Sequence, residues 1–488
     1  MPNTPETNLF EQLADAERPA GNGLIFNAKG EPSALDETFW METLAATRDL
    51  IFDPLSETYY IFFDGIWEKS TRPAVVEWVA RQIANICPEC PPKLRTRRAY
   101  NEIALRLAGH PQTQTPDAFS KSPHGVILVK NGRLEISMAG DIKFDEGCRG
   151  RKSDLKKSRL AMDYTPCARS EKTLTWLNRV FSDRLEDLDA IGNMMGATLW
   201  GSNRWKKLVY ISGLADLGKS QIPLLVEGLA GRAACIDIET RRLGEKFEFH
   251  RFLGKTFLRA ADVDADFMSR TYADALKQLT GFDSLRVEGK NSSEEFELRG
   301  DKMICATSNF RPRVKSGVDR SAWESRLVYL VADGIPYAQD EQDPYFLQSI
   351  FADSEEASGV LNFALTGLQR LLVEGWKKSE TQVARVTAVM DQGSHVEDWI
   401  SESIEKTPNG LEDPANPGLT ISEAWANYQD WCESNEIDSW NQQTWTEMAK
   451  TAIEDTHKKS TCNNLNRGKC HQRGWRGISL RVLSAAGK

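Results

Sequence analysis

The sequence predicts an α/β protein with a three-layer core, and three observations predict it. An apolar, β-branched run, KKLVYISG (206–213), leads into the octet GLADLGKS (213–220), and apolar residues at helical spacing follow in KSQIPLLVEGLAG (219–231). Two more short apolar runs, Phe257 to Ala261 and Met303 to Thr307, each give way to polar residues. A further apolar run begins directly after Arg326. Short buried strands separated by helical patterns are the signature of layered α/β architecture.

Bulk composition narrows the classes. With 488 residues the chain has room for two to four domains, and 40% hydrophobic with 27% charged residues is ordinary for a soluble globular protein. No apolar run approaches the roughly 18 residues of a membrane helix. The opening, MPNTPETNLFEQLADAERPAGNG, lacks the basic and apolar regions of a secretory signal. Nine scattered cysteines fit reduced thiols, so a cytoplasmic location and no membrane partner are expected. The net charge of −9 excludes coating of nucleic acid by bulk charge and leaves only local basic patches for that purpose.

Taken in order, residues 1–35 are polar and rich in Pro, Gly and Asn, and read as a loose tail. YYIFFDGIWEK (59–69) predicts two strands around Asp64-Gly65, and AVVEWVARQIANI (74–86) predicts a helix. HPQTQTPDAFSKSP (110–123) is loop-like. HGVILVKNGRLEIS (124–137) predicts a hairpin with Asn131-Gly132 as a type I′ turn. TLTWLNRVF and DLDAIGNMMGATLWG predict helices. Pro223 falls in the first turn of the helix after the octet, where its missing N–H costs nothing.

The octet carries the first chemistry. Its GxxxxGK[S/T] spacing, between a strand and a helix, is that of a phosphate-binding loop. Glycines let successive backbone N–H groups turn towards phosphate oxygens, and the helix N-terminus adds partial positive charge. Such a match arises by chance in about 2% of chains this long at ordinary residue usage, and the strand–helix context lowers that further. The residues expected to bind ATP are therefore Gly213, Leu214, Ala215, Asp216, Leu217, Gly218, Lys219, Ser220 and Gln221. Lys219 would reach the outer phosphates and Ser220 would ligate Mg²⁺.

A nucleoside triphosphatase also needs an acid for magnesium and water, and a polar group at the γ-phosphate. GKTFLRAADVDADF (254–267) places Asp262 and Asp264 at a strand exit. Asp262 is the first choice for magnesium or the attacking water, and Asp264 the next. DKMICATSNFRPRV (301–314) places Asn309 just past a strand, where it can hold the lytic water or the γ-phosphate. GVDRSAWESRLVYL (317–330) places Arg326 where it can stabilise transition-state charge in a neighbouring subunit.

The order of loop, acidic strand end, Asn and Arg between residues 213 and 326 resembles that of superfamily 3 helicases, the helicase part of poxvirus, phage and plasmid primase–helicases. VDRSAWESRL is similar to that family's D-x-s-x-W-x-R-R-L signature, with Ser325 in place of the first arginine. ALKQLTGFDSLRV resembles the segment between the acidic and Asn motifs, and EEASGVLNFALTGLQRLLVEGW the helices after the core. The tail TISEAWANYQDWCESNEI…QQTWTEMAK…RGWRGISL resembles a winged helix, and YYIFFDGIWEK, VKNGRLEIS and MDYTP resemble the small domain ahead of the ATPase. Leu217 stands where the family often has Asn, and the acids are split. Arg313 and Arg320 are candidates for a second acting arginine.

The resemblance implies a three-layer AAA+ P-loop ATPase core with a small α+β N-terminal domain and a C-terminal winged-helix domain. The implied division is a flexible tail at 1–40, the N-terminal α+β domain at 41–172, the ATPase core at 173–345, a helical region at 346–390 and the winged helix at 391–488. It implies a ring, a homo-hexamer by expectation, that unwinds forked DNA along one single strand with 3′–5′ polarity, for replication of a phage, plasmid or other mobile element. A separate primase or polymerase is a further partner, since no polymerising primase domain fits in this length. In this family a hairpin before the Asn motif lines the channel. DSLRVEGKNSSEEFELRGDK fits it, with Lys290 at the tip and Lys277 and Arg286 as weaker DNA contacts.

KLRTRR (93–98), RGRKSDLKKSR (149–159) and HKKSTCNNLNRGKCHQRGWRG (457–477) read as solvated faces or DNA-contacting surfaces, the last as a wing. CPEC (87–90) has the spacing of half a zinc site without a second half, so buried reduced thiols are expected. Two other functions stay open on the sequence. One is a DNA-dependent ATPase that loads or remodels an initiator. The other is an origin-binding module with a degenerate ATPase.

Overall fold

The computed structural model describes residues 21–481 except 55, 117, 244–247, 269–272, 289–294, 313, 315–319, 408–417, 436–438 and 468–469. Its centre is a five-stranded, all-parallel sheet. The strands are β1 (Leu208–Gly213), β2 (Cys235–Asp237), β3 (Phe257–Ala260), β4 (Met303–Ser308) and β5 (Leu327–Ala332), in the spatial order β2-β3-β4-β1-β5. The register is even: Leu208 of β1 lies opposite Ile304 on one side and Leu327 on the other.

Both faces of this sheet are buried, which is why its strands are continuous apolar runs rather than alternating ones. Val209, Ile211, Cys305 and Val328 point to one face, and Leu208, Tyr210, Ile304 and Tyr329 to the other. The first face is covered by α1 (Glu171–Val180), α2 (Leu185–Trp200) and α3 (Gln221–Ala230). The second packs on α4 (Ala273–Gly281) through Leu276 and Leu279. Later in the chain, α5 (Ser354–Glu374) joins the first layer, and α6 (Glu380–Ser403) joins the second through Val386, Val389 and Met390. The molecule is thus a mixed α/β protein with helices on both sides of a parallel sheet.

The seam between α2 and α5 is made by glycines. A Cβ on Gly196 would lie 2.5 Å from Leu368 N, and one on Gly367 would lie 2.1 Å from Gly192 O. The two backbones therefore touch directly, an approach that any side chain would prevent.

Towards the N-terminus, the antiparallel strands Leu50–Asp53, Thr58–Phe63 and Ile66–Ser70 pair in that order. Asp64 and Gly65, both at positive φ, form the expected turn. The helices Glu37–Ala46, Arg72–Ile86 and Arg97–Ala108 share one core around Trp40, Val79 and Ile103. Residues 24–35, placed in a tail by the sequence reading, pair as Leu24–Phe26 with Pro32–Leu35, and Trp40 Nε1 donates to Gly23 O at 2.9 Å. A second antiparallel sheet, Val126–Val129, Gly132–Ile136 and Ile142–Glu146, contributes Ile127, Val129, Leu134 and Ile136 to the core on the first face of the parallel sheet.

The hairpin at 126–136 corrects one expectation. Val129 pairs with Gly132, so the turn is Lys130-Asn131, one residue earlier, and neither has positive φ. Asn131 is held elsewhere: its side chain donates to Tyr164 O (3.0 Å) and accepts from Tyr164 N (2.8 Å). Gly132 is required by crowding, since a Cβ there would lie 2.6 Å from Asp145 O.

At the C-terminus, the end of α6 and the helices Ile421–Ser434 and Gln442–His457 enclose Trp399, Tyr428, Trp445 and Trp475. The strands Thr461–Arg467 and Cys470–Trp475 form an antiparallel hairpin, on the segment expected to be a wing. Among the described residues no helix is long and apolar enough to cross a membrane.

Candidate nucleotide site

The site forms where the chain reverses direction across the sheet. β1 and β4 are neighbours, but the connection leaving β1 runs towards the β2 edge and the one leaving β4 runs the other way, to β5. In open parallel sheets the crevice outside the carboxyl ends at such a switch is where ligands bind. The octet leaves the carboxyl end of β1, and Asn309 leaves that of β4.

The two bracketing glycines have different reasons. Gly218 sits at φ +76°, a left-handed conformation that favours glycine. Gly213 has no such φ; a Cβ on it would lie 2.1 Å from Ala332 O, so glycine is needed for β1 to lie beside β5. Asp216 is also left-handed, at φ 61°, the conformation that Asp tolerates better than most residues. Leu217 is fully buried and anchors the loop, whereas Leu214 is exposed.

Lys219 is 6% exposed. Its Nζ donates to Leu214 O at 2.9 Å and to Asn309 Oδ1 at 2.6 Å. Both acceptors are neutral, and among the described residues Lys219 forms no salt bridge. Burial lowers its pKa from the ordinary lysine value, opposed by the carboxylates of Asp262 and Asp216. A nearly buried ammonium with neutral acceptors is suited to an anion. Ser220 follows at the N-terminus of α3, exposed, with a hydroxyl that caps no backbone N–H. Gln221 opens α3 and Pro223 is buried in its first turn.

Asp262 lies just beyond β3, exposed and left-handed at φ 47°. Its N–H donates to Thr307 Oγ1 at 3.4 Å, and Val263 N donates to Thr307 O at 2.9 Å. Ser308 Oγ donates to Val263 O at 2.6 Å. β4 therefore fixes the strand-exit segment that carries the acid, a role for Thr307 and Ser308 that the sequence did not signal. Asp264 is also exposed and precedes the short helix Ala265–Met268; unlike Asp262, it is not among the charges acting on Lys219. Phosphates fit Lys219 by charge, and a hard divalent cation fits the oxygen donors of Ser220 and Asp262.

Arg326 is not in this crevice. It immediately precedes β5, whose carboxyl end Ala332 pairs with Gly213, so the strand alone separates it from the loop by roughly 17 Å. Its Nη1 donates to Ala322 O at 3.1 Å, and its buried Nε has no partner among the described residues. Arg320 is committed to Glu324 (2.7 Å) and Asp391 (2.8 Å). Arg313 lies outside the described residues.

The expected channel hairpin has its two strands, Ser284–Glu288 and Glu295–Arg299, paired antiparallel with Glu288 opposite Glu295. Lys290, at its expected tip, lies outside the described residues. Arg286 lies opposite Glu297 in the backbone register. Lys277, on α4, pairs with Asp274 at 2.7 Å. Cys90 is buried and Cys87 half-buried. Among the described residues no three His, Cys, Asp or Glu side chains gather as a metal site.

No protein-family model matches this sequence, and no curated protein matches it. Among solved structures, the chain is similar to the apo structure of the NrS-1 C-terminal region (305–718), at 11% identity and a TM-score of 0.45, over 90% of this chain and 99% of that one. It is similar to the A-form apo structure of the NrS-1 C-terminal region at 15% identity and a TM-score of 0.44, over 85% and 89% of the two chains. At these values the likenesses establish neither a family nor a function for the chain.

Proposed function

We propose that this chain is an ATP-hydrolysing DNA motor of the superfamily 3 AAA+ type, acting as a ring of identical subunits. One observation carries the reading: the buried ammonium of Lys219 lies 2.6 Å from Asn309 Oδ1, at the carboxyl ends of the adjacent parallel strands β1 and β4. A loop lysine and a strand-end amide from separate motifs thus meet at one point, as phosphate and γ-phosphate contacts must.

In this reading Lys219 and the loop backbone bind phosphates, while Ser220 and Asp262 hold Mg²⁺. Magnesium ATP, when bound, supplies the phosphoanhydride bond whose hydrolysis drives the motor. Asp262, with Asp264 as the alternative, orients water, and Asn309 positions the γ-phosphate. Arg326, remote from its own loop, serves the site of the next subunit. The hairpin 284–299 carries Lys290 against single-stranded DNA, and the C-terminal helices with the hairpin 461–475 act as a winged helix. The polarity of 3′–5′ and the mobile-element setting follow from the family resemblance.

The test is ATP hydrolysis by the purified chain with and without single-stranded DNA, beside Lys219→Ala. Hydrolysis that requires Lys219 and rises with DNA is expected. Hydrolysis indifferent to Lys219, or none under either condition, overturns the motor reading.

A further inference from the structure

Beside the loop lies a broadly open surface cavity of about 380 Å³ lined by Glu171, Lys172, Thr175, Trp176, Tyr337 and Phe346. It is assembled from α1 and from the segment after β5, which are far apart in sequence. Two of its aromatic walls are attached to the loop itself. A Cβ on Gly218 would lie 2.8 Å from Trp176 Nε1, so the indole edge rests on the loop at its second glycine. Tyr337 N donates to Asp216 O at 3.1 Å.

These walls are braced. Trp176 is buried and meets Phe346 edge to face, with ring centroids 5.4 Å apart. The Arg179 guanidinium lies 3.8 Å from the centre of the Tyr337 ring. Arg179 also donates to Ile335 O and Pro336 O, each at 3.1 Å, and pairs with Glu341 at 2.8 Å. The 335–341 segment is thereby held against α1.

We propose that this cavity takes the nucleotide base by aromatic stacking, and that the site accepts purine nucleotides with little distinction between adenine and guanine. The proposal rests on the nucleotide reading above. Trp176 is buried behind the wall and Arg179 covers one face of Tyr337, so the ring surface left for a base is that of the half-buried Tyr337 and Phe346, which any base can use. The polar side chains of the lining, Glu171, Lys172 and Thr175, are solvent-exposed. Exposed groups in water discriminate base edges weakly, because solvent satisfies either partner. Stacking favours the larger purine over a pyrimidine.

The experiment is calorimetric titration of the full chain with ATP, GTP, CTP and inorganic tripolyphosphate, which offers phosphates without a base. ATP and GTP are expected to bind within about threefold of each other, and CTP about tenfold more weakly. Tyr337→Leu combined with Phe346→Leu is expected to weaken ATP about tenfold and leave tripolyphosphate unchanged. Thr175→Trp, which fills the cavity from its exposed rim, is expected to do the same without altering the packed walls. ATP affinity retained by both variants overturns the proposal, as does a strong preference of ATP over GTP. If Lys219→Ala still abolishes tripolyphosphate binding, the nucleotide reading survives that failure. If the unaltered chain binds neither ATP nor tripolyphosphate, both fall together.

Discussion

Arg385 and Asp187 join the two helical layers: Arg385 Nη1 lies 2.9 and 3.0 Å from the two carboxylate oxygens of Asp187. Asp187 is fully buried at the start of α2, and Arg385 belongs to α6. Arg184 Nε also donates to Asp187 (2.8 Å), and Arg184 Nη1 reaches Asp333 just past β5. Without Arg385 the buried carboxylate keeps Arg184 and the Gln382 amide (3.3 Å) but loses one of its two cations. Arg385→Met is expected to destabilise the fold, by less than the roughly 3 kcal/mol of a wholly unpaired buried charge, measured by denaturant unfolding. An unchanged midpoint would mean that Arg385 contributes no stability to the network.

Asn309→Asp tests the contact that carries the functional reading. A carboxylate 2.6 Å from Lys219 Nζ would pair with it and raise its pKa, reversing the lowering that burial imposes. That carboxylate would also repel phosphate. ATP affinity is expected to fall about tenfold or more, by analogy with other one-partner charge changes, while Asn309→Ala keeps binding and loses hydrolysis. Titration and single-turnover hydrolysis separate the two effects.

Gly213→Ala probes the sheet rather than the ligand. The new Cβ would meet Ala332 O at 2.1 Å and push β5 from β1. A loss of about 2 kcal/mol is expected, in the range of overpacked cores, visible as a lower melting temperature without nucleotide. A variant as stable as the parent would show that β5 moves freely at its carboxyl end.

Arg326 and Lys219 should complement each other between subunits. Arg326→Ala and Lys219→Ala are each expected to abolish DNA-stimulated hydrolysis when assayed alone. In the proposed ring, mixed assemblies would contain interfaces that pair an intact Lys219 with an intact Arg326, so mixing the two inactive proteins is expected to restore partial activity. No recovery in rings shown to be mixed would place Arg326 outside the neighbour's site.

Lys156 provides a pH signature. Burial lowers its pKa to about 8, against about 10.4 in an unfolded chain. Between these values the unfolded state holds more protons, so stability rises with pH there. Below pH 8 both states are protonated and the burial penalty is present in full. Relative to Lys156→Met, the parent should gain stability as pH rises from 8 to 10, seen by chemical denaturation at each pH. A constant difference would show that Lys156 is hydrated in the folded state.

The parts of this molecule that were legible in the sequence are those written in contiguous residues. The octet, the acids at 262 and 264, Asn309 and the apolar strands before them could each be read from a short window, because strand, turn and helix signals are local. What could not be read was how distant segments meet. Trp176 and Tyr337 flank one loop although 161 positions separate them in the chain. Thr307 and Ser308 look like ordinary strand residues until their bonds to the 262–263 backbone are seen. Asn131-Gly132 misled for the same reason, since Tyr164 and Asp145, remote in sequence, set the conformation that the local signal was expected to choose.

The bare-backbone seam between α2 and α5 has a mechanical consequence. Where Gly196 meets Ala364 and Leu368, and Gly367 meets Gly192, backbone lies on backbone, with the Phe363 ring packed against Gly192 beside it. Close-packed interiors deform little and pass strain onward. The two helices should therefore shift as one stiff strut rather than slide past each other, so that a displacement beginning beside β1 is carried to the end of α5 at Glu374.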